Sequence, residues 1–372
     1  MSVLSLTAFA ALCAVRGLPM ADVLVYRAEG AAVLHGRDLY GFTVTEWHLP
    51  ATYPPFAALL FTPLAWPPVP VLKAAFLVGN LVLLACLIRL SARFAGRTLA
   101  PPALVAATAL ALWLEPVFQT LLFGQINLAL ICLVLWDLTR PPGARGTGVA
   151  LGIAAGVKLT PAVFIAYLLL RGRYREAATA VAAFAGTVAV GALVLPAASV
   201  DFWSRRLFET DRVGKPWIVD NQSVQGLIAR ALGEARPGAA WLGAAGLIAV
   251  AGLWAARRAA DERTGVLLAA GTALLVSPIS WTHHWVWCVP LIALLLARGR
   301  GRLALCVTLL FTARTMWLVP HEGALDLRLP WWQQPLASPY ALLALLAVGA
   351  VLMPAGAAGQ LSARSSSASM IR

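Results

Sequence analysis

GVALGIAAGVKLTPAVFIAYLLL, residues 148–170, decides how the rest of the chain is read. The run is long enough to cross a bilayer once. Basic residues stand at both ends: Arg140 and Arg145 before it, Arg171, Arg173 and Arg175 after it. Such clusters mark the cytoplasmic ends of membrane helices. A single crossing would put one cluster on the wrong side. The interruption KLTP, 158–161, resolves the conflict, because proline disfavours helical geometry in the residue before it. Two short helices, broken at Lys158 and Pro161, then form a hairpin that leaves and returns on one side. Broken helices at membrane depth are tolerated where they line a polar cavity.

The same reasoning extends outward. Of the 372 residues 60% are hydrophobic and 12% charged, against roughly 45–50% and about 25% in soluble domains. Apolar runs recur along the whole chain, so the expected fold is an all-α polytopic membrane protein. A single domain covers 1–357, and a Ser-rich, basic tail over 358–372 is expected to be disordered and cytoplasmic. The net charge of +13 comes from short arginine clusters between apolar runs. It points to anionic membrane lipids and not to nucleic acid. Helices are expected near 1–18, 69–91, 101–114, 124–138, the hairpin, 177–195, 239–256, 264–279, 285–297, 302–319 and 339–355, about twelve in all. This count turns 20–67, 196–237 and 320–337 outward, which puts the polar chemistry on the extracytoplasmic side of the plasma membrane. The chain lacks the βαβ pattern of a soluble nucleotide-sugar enzyme.

Few polar residues interrupt the apolar runs, so each can be weighed. Asp22 opens the outer loop. After it, Val23, Tyr26, Ala31 and Leu34 would form an apolar face opposite Arg27 and Glu29, as in an amphipathic helix on the membrane surface. Asp22 is then either the N-cap of that helix or a general base at the membrane boundary. Lys158 lies deep in an apolar run, where a cation is costly and implies an anionic partner; a phosphate suits it. Gln125 and Asn127 start a membrane helix, where amides serve interhelical hydrogen bonding or a site. NQSVQGLIAR, 221–230, opens an amphipathic helix capped by Asn221 or Ser223, and its amides and Arg230 would suit a sugar or phosphate if they faced one cavity. His283 and His284 lie between tryptophans at an outer helix end. They lack the i, i+4 spacing of a helical metal site, so hydrogen bonding to a phosphate or hydroxyl is the better functional reading. His284 is favoured, with Ser280 and Trp281 on the same turn.

In order along the chain, six segments resemble glycosyltransferase family 87, the actinobacterial polyprenyl-phosphate-mannose-dependent α-1,2-mannosyltransferases with the C-type membrane fold. They are DVLVYRAEGAAVLHGRDLYG (22–41), YPPFAALLFTPLAW (53–66), FGQINLALICLVLWDL (123–138), GIAAGVKLTPAVF (152–164), NQSVQG (221–226) and SPISWTHHWVW (277–287). The resemblance implies a polyprenyl-phosphate mannose donor that enters from the membrane. It implies a mannosylated lipid or glycan acceptor and an inverting attack. Asp22 matches the family's first-loop acid and would deprotonate the acceptor hydroxyl. The phosphate leaving group needs charge stabilisation, for which Lys158, His284 and His283 are the candidates. Tyr53, Gln125, Asn221 and Gln222 would shape the sugar site. No metal or other cofactor is required. The first helix, containing Arg16, is shorter than the family pattern.

Two rival readings follow from the same features. One is a flippase or transporter for a lipid-linked sugar, which also needs a lateral entrance and a buried cation. The other is a related enzyme using a different polyprenyl-phosphate sugar.

Overall fold

The computed structural model describes residues 2–141 and 143–353. The expected disordered tail lies outside them, as does the side chain of Arg16. The chain begins with α1 (Ser2–Arg16), α2 (Ala21–Leu34), α3 (Pro55–Phe61) and α4 (Val69–Phe94). Next come α5 (Pro101–Ala111), α6 (Glu115–Phe123), α7 (Asn127–Leu138), α8 (Val149–Val157), α9 (Val163–Leu170) and α10 (Tyr174–Val194). After α11 (Pro196–Asp201) follow α12 (Val224–Leu232), α13 (Gly238–Arg258), α14 (Glu262–Val276) and α15 (Cys288–Ala297). The last are α16 (Gly301–Ala313), α17 (Gln334–Ala337) and α18 (Pro339–Leu352). Among the described residues the strands amount to one short antiparallel pair, Thr43–Val44 with Leu49–Pro50. Prolines begin many of these helices, where a missing N–H costs nothing. Helices α4, α10 and α13 are each long and apolar enough to cross a membrane.

The segment 148–170 folds as two short helices. Lys158 ends α8 in an extended conformation, φ −146° and ψ 128°. A 3₁₀ turn over Thr160–Ala162 then leads into α9. Gly148, Gly152 and Gly156, four residues apart, form one stripe on and before α8. A Cβ on them would strike Glu176 O, Ala180 O and Thr187 Oγ1 of α10 respectively. The contacts advance in the same direction along both helices, so α8 and α10 are parallel and α9 carries the chain back between them. The two ends meet where Gly143 N–H donates to Glu176 Oε1 (3.4 Å). The buried Asp137 carboxylate caps the start of α8, accepting from Gly148 N–H at 2.9 Å and Leu151 N–H at 2.9 Å.

That end of the molecule gathers the arginine clusters. Arg97 donates to Ala297 O (3.2 Å) and Arg171 to Arg257 O (3.0 Å). Arg173 pairs with Glu262 (2.5 Å) and Arg298 with Asp261 (2.5 Å). Loops far apart in sequence are therefore held together by charge at one pole.

Three local expectations are corrected. The helix read over 101–114 stops at Ala111; a further helix, α6, starts at Glu115 and lies at 78° to α5. Pro116 restarts it, and Glu115 is fixed there by Arg314 (2.7 Å) and Trp317 (2.7 Å). Helix α2 does not show the face expected of it. Glu29 is wholly buried and Leu34 is exposed, and next to Glu29 the helix is covered again where Gly30 packs directly on the Phe61 carbonyl. Nor is Asp22 the N-cap. The helix starts from Met20, held in the left-handed region at φ 45°, and Asp22 sits inside the first turn with its carboxylate free for other work.

Candidate functional site

The start of α2 is pinned to the end of α6. Met20 N–H donates to Leu122 O (3.0 Å), and Gly124, at φ 69°, leaves no room for a Cβ against Val23. A non-glycine residue in the left-handed region is strained, and strain of this kind collects at functional sites. Here it brings Asp22 beside Gln125. The amide oxygen of Gln125 accepts from Tyr26 Oη (3.1 Å) and Tyr53 Oη (3.3 Å), and the two hydroxyls lie 3.0 Å apart. The amide N–H₂ is thereby turned to the Asp22 carboxylate. Loss of water in this wall raises the Asp22 carboxyl to about 6; the Gln125 bond and the Lys158 charge oppose the rise, and Asp220 adds to it.

Lys158 comes from the break between α8 and α9. Its Nζ donates to Asn127 Oδ1 (3.1 Å), lies 3.1 Å from His284 Nε2, and stands 5.6 Å above the centre of the Tyr53 ring. An ammonium can only donate, so Nε2 of His284 accepts and its ring proton is on Nδ1. The amide N–H₂ of Asn127 donates to the His283 carbonyl (2.9 Å), joining the break to the histidine segment. That segment is a 3₁₀ turn, Thr282–Trp287, running into α15. The His283 ring is buried edge-on to Phe123, and neither ring nitrogen has a partner among the described residues.

These side chains share one cavity of about 760 Å³, lined by Asp22, Tyr53, Gln125, Lys158, His283 and His284. Beyond Lys158 and His284 a narrow slot of about 50 Å³ continues between α7, α9 and α14, walled by residues such as Leu130, Ile131, Phe164 and Leu274. A cation and an imidazole therefore stand between a large cavity and a narrow slot, both with mainly apolar walls.

Asn221 and Gln222 are not in the cavity wall. Asn221 Nδ2 donates to Pro216 O and Pro278 O, and its Oδ1 accepts from Ser280 N–H (2.9 Å) and Ser223 N–H. Gln222 holds Val219 O, Ala337 O and Tyr340 N–H. Arg230 is equally turned away, clamping the carbonyls of Trp217, Ile218 and Asn221. Ser223 is the N-cap of α12. The polar residue of this loop that does line the cavity is Asp220, and Arg206 and Arg212 line it as well. Asp220 adjoins the polar cluster and belongs to the same rare acidic set as Asp22, which is the signal that would have found it. The arginines sit in a mixed-charge stretch, 201–212, that reads as an ordinary solvated loop.

A helical membrane protein with a carboxylate and a lysine–histidine pair facing one cavity has the equipment of a membrane-embedded transferase. Sequence comparison places it within that class. Residues 51–278 match glycosyltransferase family 87. The chain is 36% identical to a Mycobacterium tuberculosis polyprenol-phosphate-mannose-dependent alpha-(1-2)-phosphatidylinositol mannoside mannosyltransferase, over 90% of this chain and 84% of that protein. Identity to its Mycolicibacterium smegmatis counterpart is 36%, over 80% and 74% of the two chains. A Mycobacterium tuberculosis phosphatidylinositol pentamannoside mannosyltransferase is 37% identical, over 74% of this chain and 66% of that one. No solved structure gives a significant match. The chain belongs to glycosyltransferase family 87 and is a membrane glycosyltransferase.

Proposed function

We propose that the protein transfers mannose from polyprenyl-phosphate mannose to a hydroxyl of a mannosylated cell-envelope glycolipid, forming an α-1,2 linkage with inversion. The observation that carries this reading is the position of Lys158 and His284, which line both the cavity and the slot and set a cation among mainly apolar walls. A phosphate on a long hydrocarbon chain is the matching ligand, one anionic group on an apolar body. The names of the related enzymes supply the sugar and the class of acceptor.

In the proposed reaction the acceptor hydroxyl gives its proton to the Asp22 carboxylate as its oxygen bonds to C1 of mannose. The C1–O bond to phosphate breaks, and its electron pair stays on the phosphate oxygen. Lys158 offsets the charge that develops there, with the free ring nitrogens of His283 as further hydrogen-bonding groups. His284 aligns the lysine. Tyr53 and Gln125 hold Asp22 and border the sugar. The arginine pole is the cytoplasmic end by the positive-inside rule. The cavity then lies extracytoplasmic, within about twelve membrane helices of the C-type arrangement, at the plasma membrane. Purified protein in lipid vesicles tests the donor. Transfer from polyprenyl-phosphate mannose, none from GDP-mannose, and a product sensitive to α-1,2-mannosidase are expected. Transfer from the nucleotide sugar would overturn the reading.

A further inference from the structure

The loop 216–223 and the segment 278–282 form a single stiff wall. Asn221 bonds to four backbone groups across the two stretches, Gln222 N–H donates to Ser280 O (2.8 Å), and Asn221 pairs with Trp281 in an antiparallel bridge. Arg230, 1% exposed, clamps carbonyls on both sides of residue 220. All of these polar groups face into the protein. Asp220 and Trp281 alone of this framework's polar and aromatic side chains are turned to the cavity. Asp220 Oδ1 is fully engaged, accepting from Thr282 N–H (3.1 Å) and Thr282 Oγ–H (2.6 Å). Its Oδ2 accepts no hydrogen bond from the described residues, and Asp220 lines the chamber. Trp281 lies in the wall because Gly214 gives way to it: a Cβ there would come within 2.6 Å of the indole.

We propose that Asp220 and Trp281 form a hexose subsite: Oδ2 accepts hydroxyl protons from the sugar, and the indole packs against its C–H face. A fixed carboxylate oxygen beside an aromatic plane matches the two chemistries of a sugar ring, hydroxyls at the edge and apolar C–H groups on the face. This rests on the mannosyl-transfer reading above. The hexose is either the transferred mannose or the terminal sugar of the acceptor, and the experiment separates them.

Asp220→Asn keeps an oxygen for Thr282 and removes the charge. We expect KM to rise about tenfold or more for the sugar bound there, as for loss of a charge-assisted hydrogen bond. A rise for the donor locates the transferred mannose at Asp220; a rise for the acceptor locates the terminal sugar. Trp281→Leu raises KM for that same substrate. Wild-type protein assayed with monodeoxy donors and monodeoxy acceptors gives an arm independent of variant folding. One deoxy position is penalised by a similar factor in wild type, and that penalty disappears in Asp220→Asn. Equal use of every deoxy sugar by wild type would overturn the subsite, as would an active Asp220→Asn with both KM values unchanged. Wild-type protein that transfers no sugar from lipid phosphate would instead overturn the functional reading, and the subsite with it.

Discussion

The Asp22 carboxyl is held near 6 by opposing forces, and with Asp22 as the proposed base this sets the acid limb of the reaction. Desolvation raises its carboxyl to about 6. Only the ionised form accepts a proton, so kcat/KM is expected to rise with pH through a midpoint near 6, about two units above an ordinary carboxylate. Because the neighbouring Asp220 charge adds to the rise, Asp220→Asn should move that midpoint to lower pH; a pH–rate profile of each protein checks this. At Lys158 the effect is on charge. Lys158→Met is expected to reduce kcat by about 10²–10³, the loss typical of one oxyanion-stabilising group, measured in single-turnover transfer. Much of this wall was legible in the sequence, because Asp22, Gln125, Lys158 and the two histidines interrupt apolar runs where a polar group needs a reason. Asn221 and Gln222 misled for a physical cause. They are as polar as any site residue, and only their pairing with 278–281, distant in sequence, turns them inward and leaves Asp220 facing the chamber.

Helix α8 shows what the site requires of its elements. It carries Lys158 at its end, so its distance from α10 sets the depth of the cation. Gly152 has no space for a methyl group beside Ala180 O and Ala183. Gly152→Val is therefore expected to destabilise the protein by about 1–3 kcal/mol through overpacking, read as a lower thermal midpoint in detergent. An unchanged midpoint would mean that α8 and α10 are not tightly apposed. The break at Lys158 was legible because proline and a buried charge fall together between two basic clusters. The break between α5 and α6 was not, although Pro116 marks it. Its second cause is the contact of Glu115 with Arg314 and Trp317, which lie some two hundred residues away and carry no local signal. The α2 face failed for a similar reason: helical periodicity describes one contact surface, and α2 is covered on a second side, where Gly30 meets the end of α3 at Phe61.

Over the whole molecule, function depends on polarity between two ends. Arginine clusters from five connections meet at one pole, and the carboxylate, lysine and histidines meet in a cavity served by an apolar slot. The long apolar helices and the basic loops made this division visible in composition alone. The way the slot reaches the cavity depends on how α7, α9 and α14 pack, which no single stretch encodes. Filling the slot by Ala273→Phe, at a wall residue common to slot and cavity, should raise KM for a long-chain donor more than for a short-chain analogue. Equal effects on both would place the hydrocarbon elsewhere. The central claim is that Asp22 is the base in transfer from a lipid phosphate. Its most direct test is mannose transfer from purified polyprenyl-phosphate mannose by wild type and Asp22→Asn at matched expression. Transfer by wild type and its loss, by at least about a hundredfold, in Asp22→Asn is the predicted result. Transfer at the wild-type rate by Asp22→Asn would contradict it.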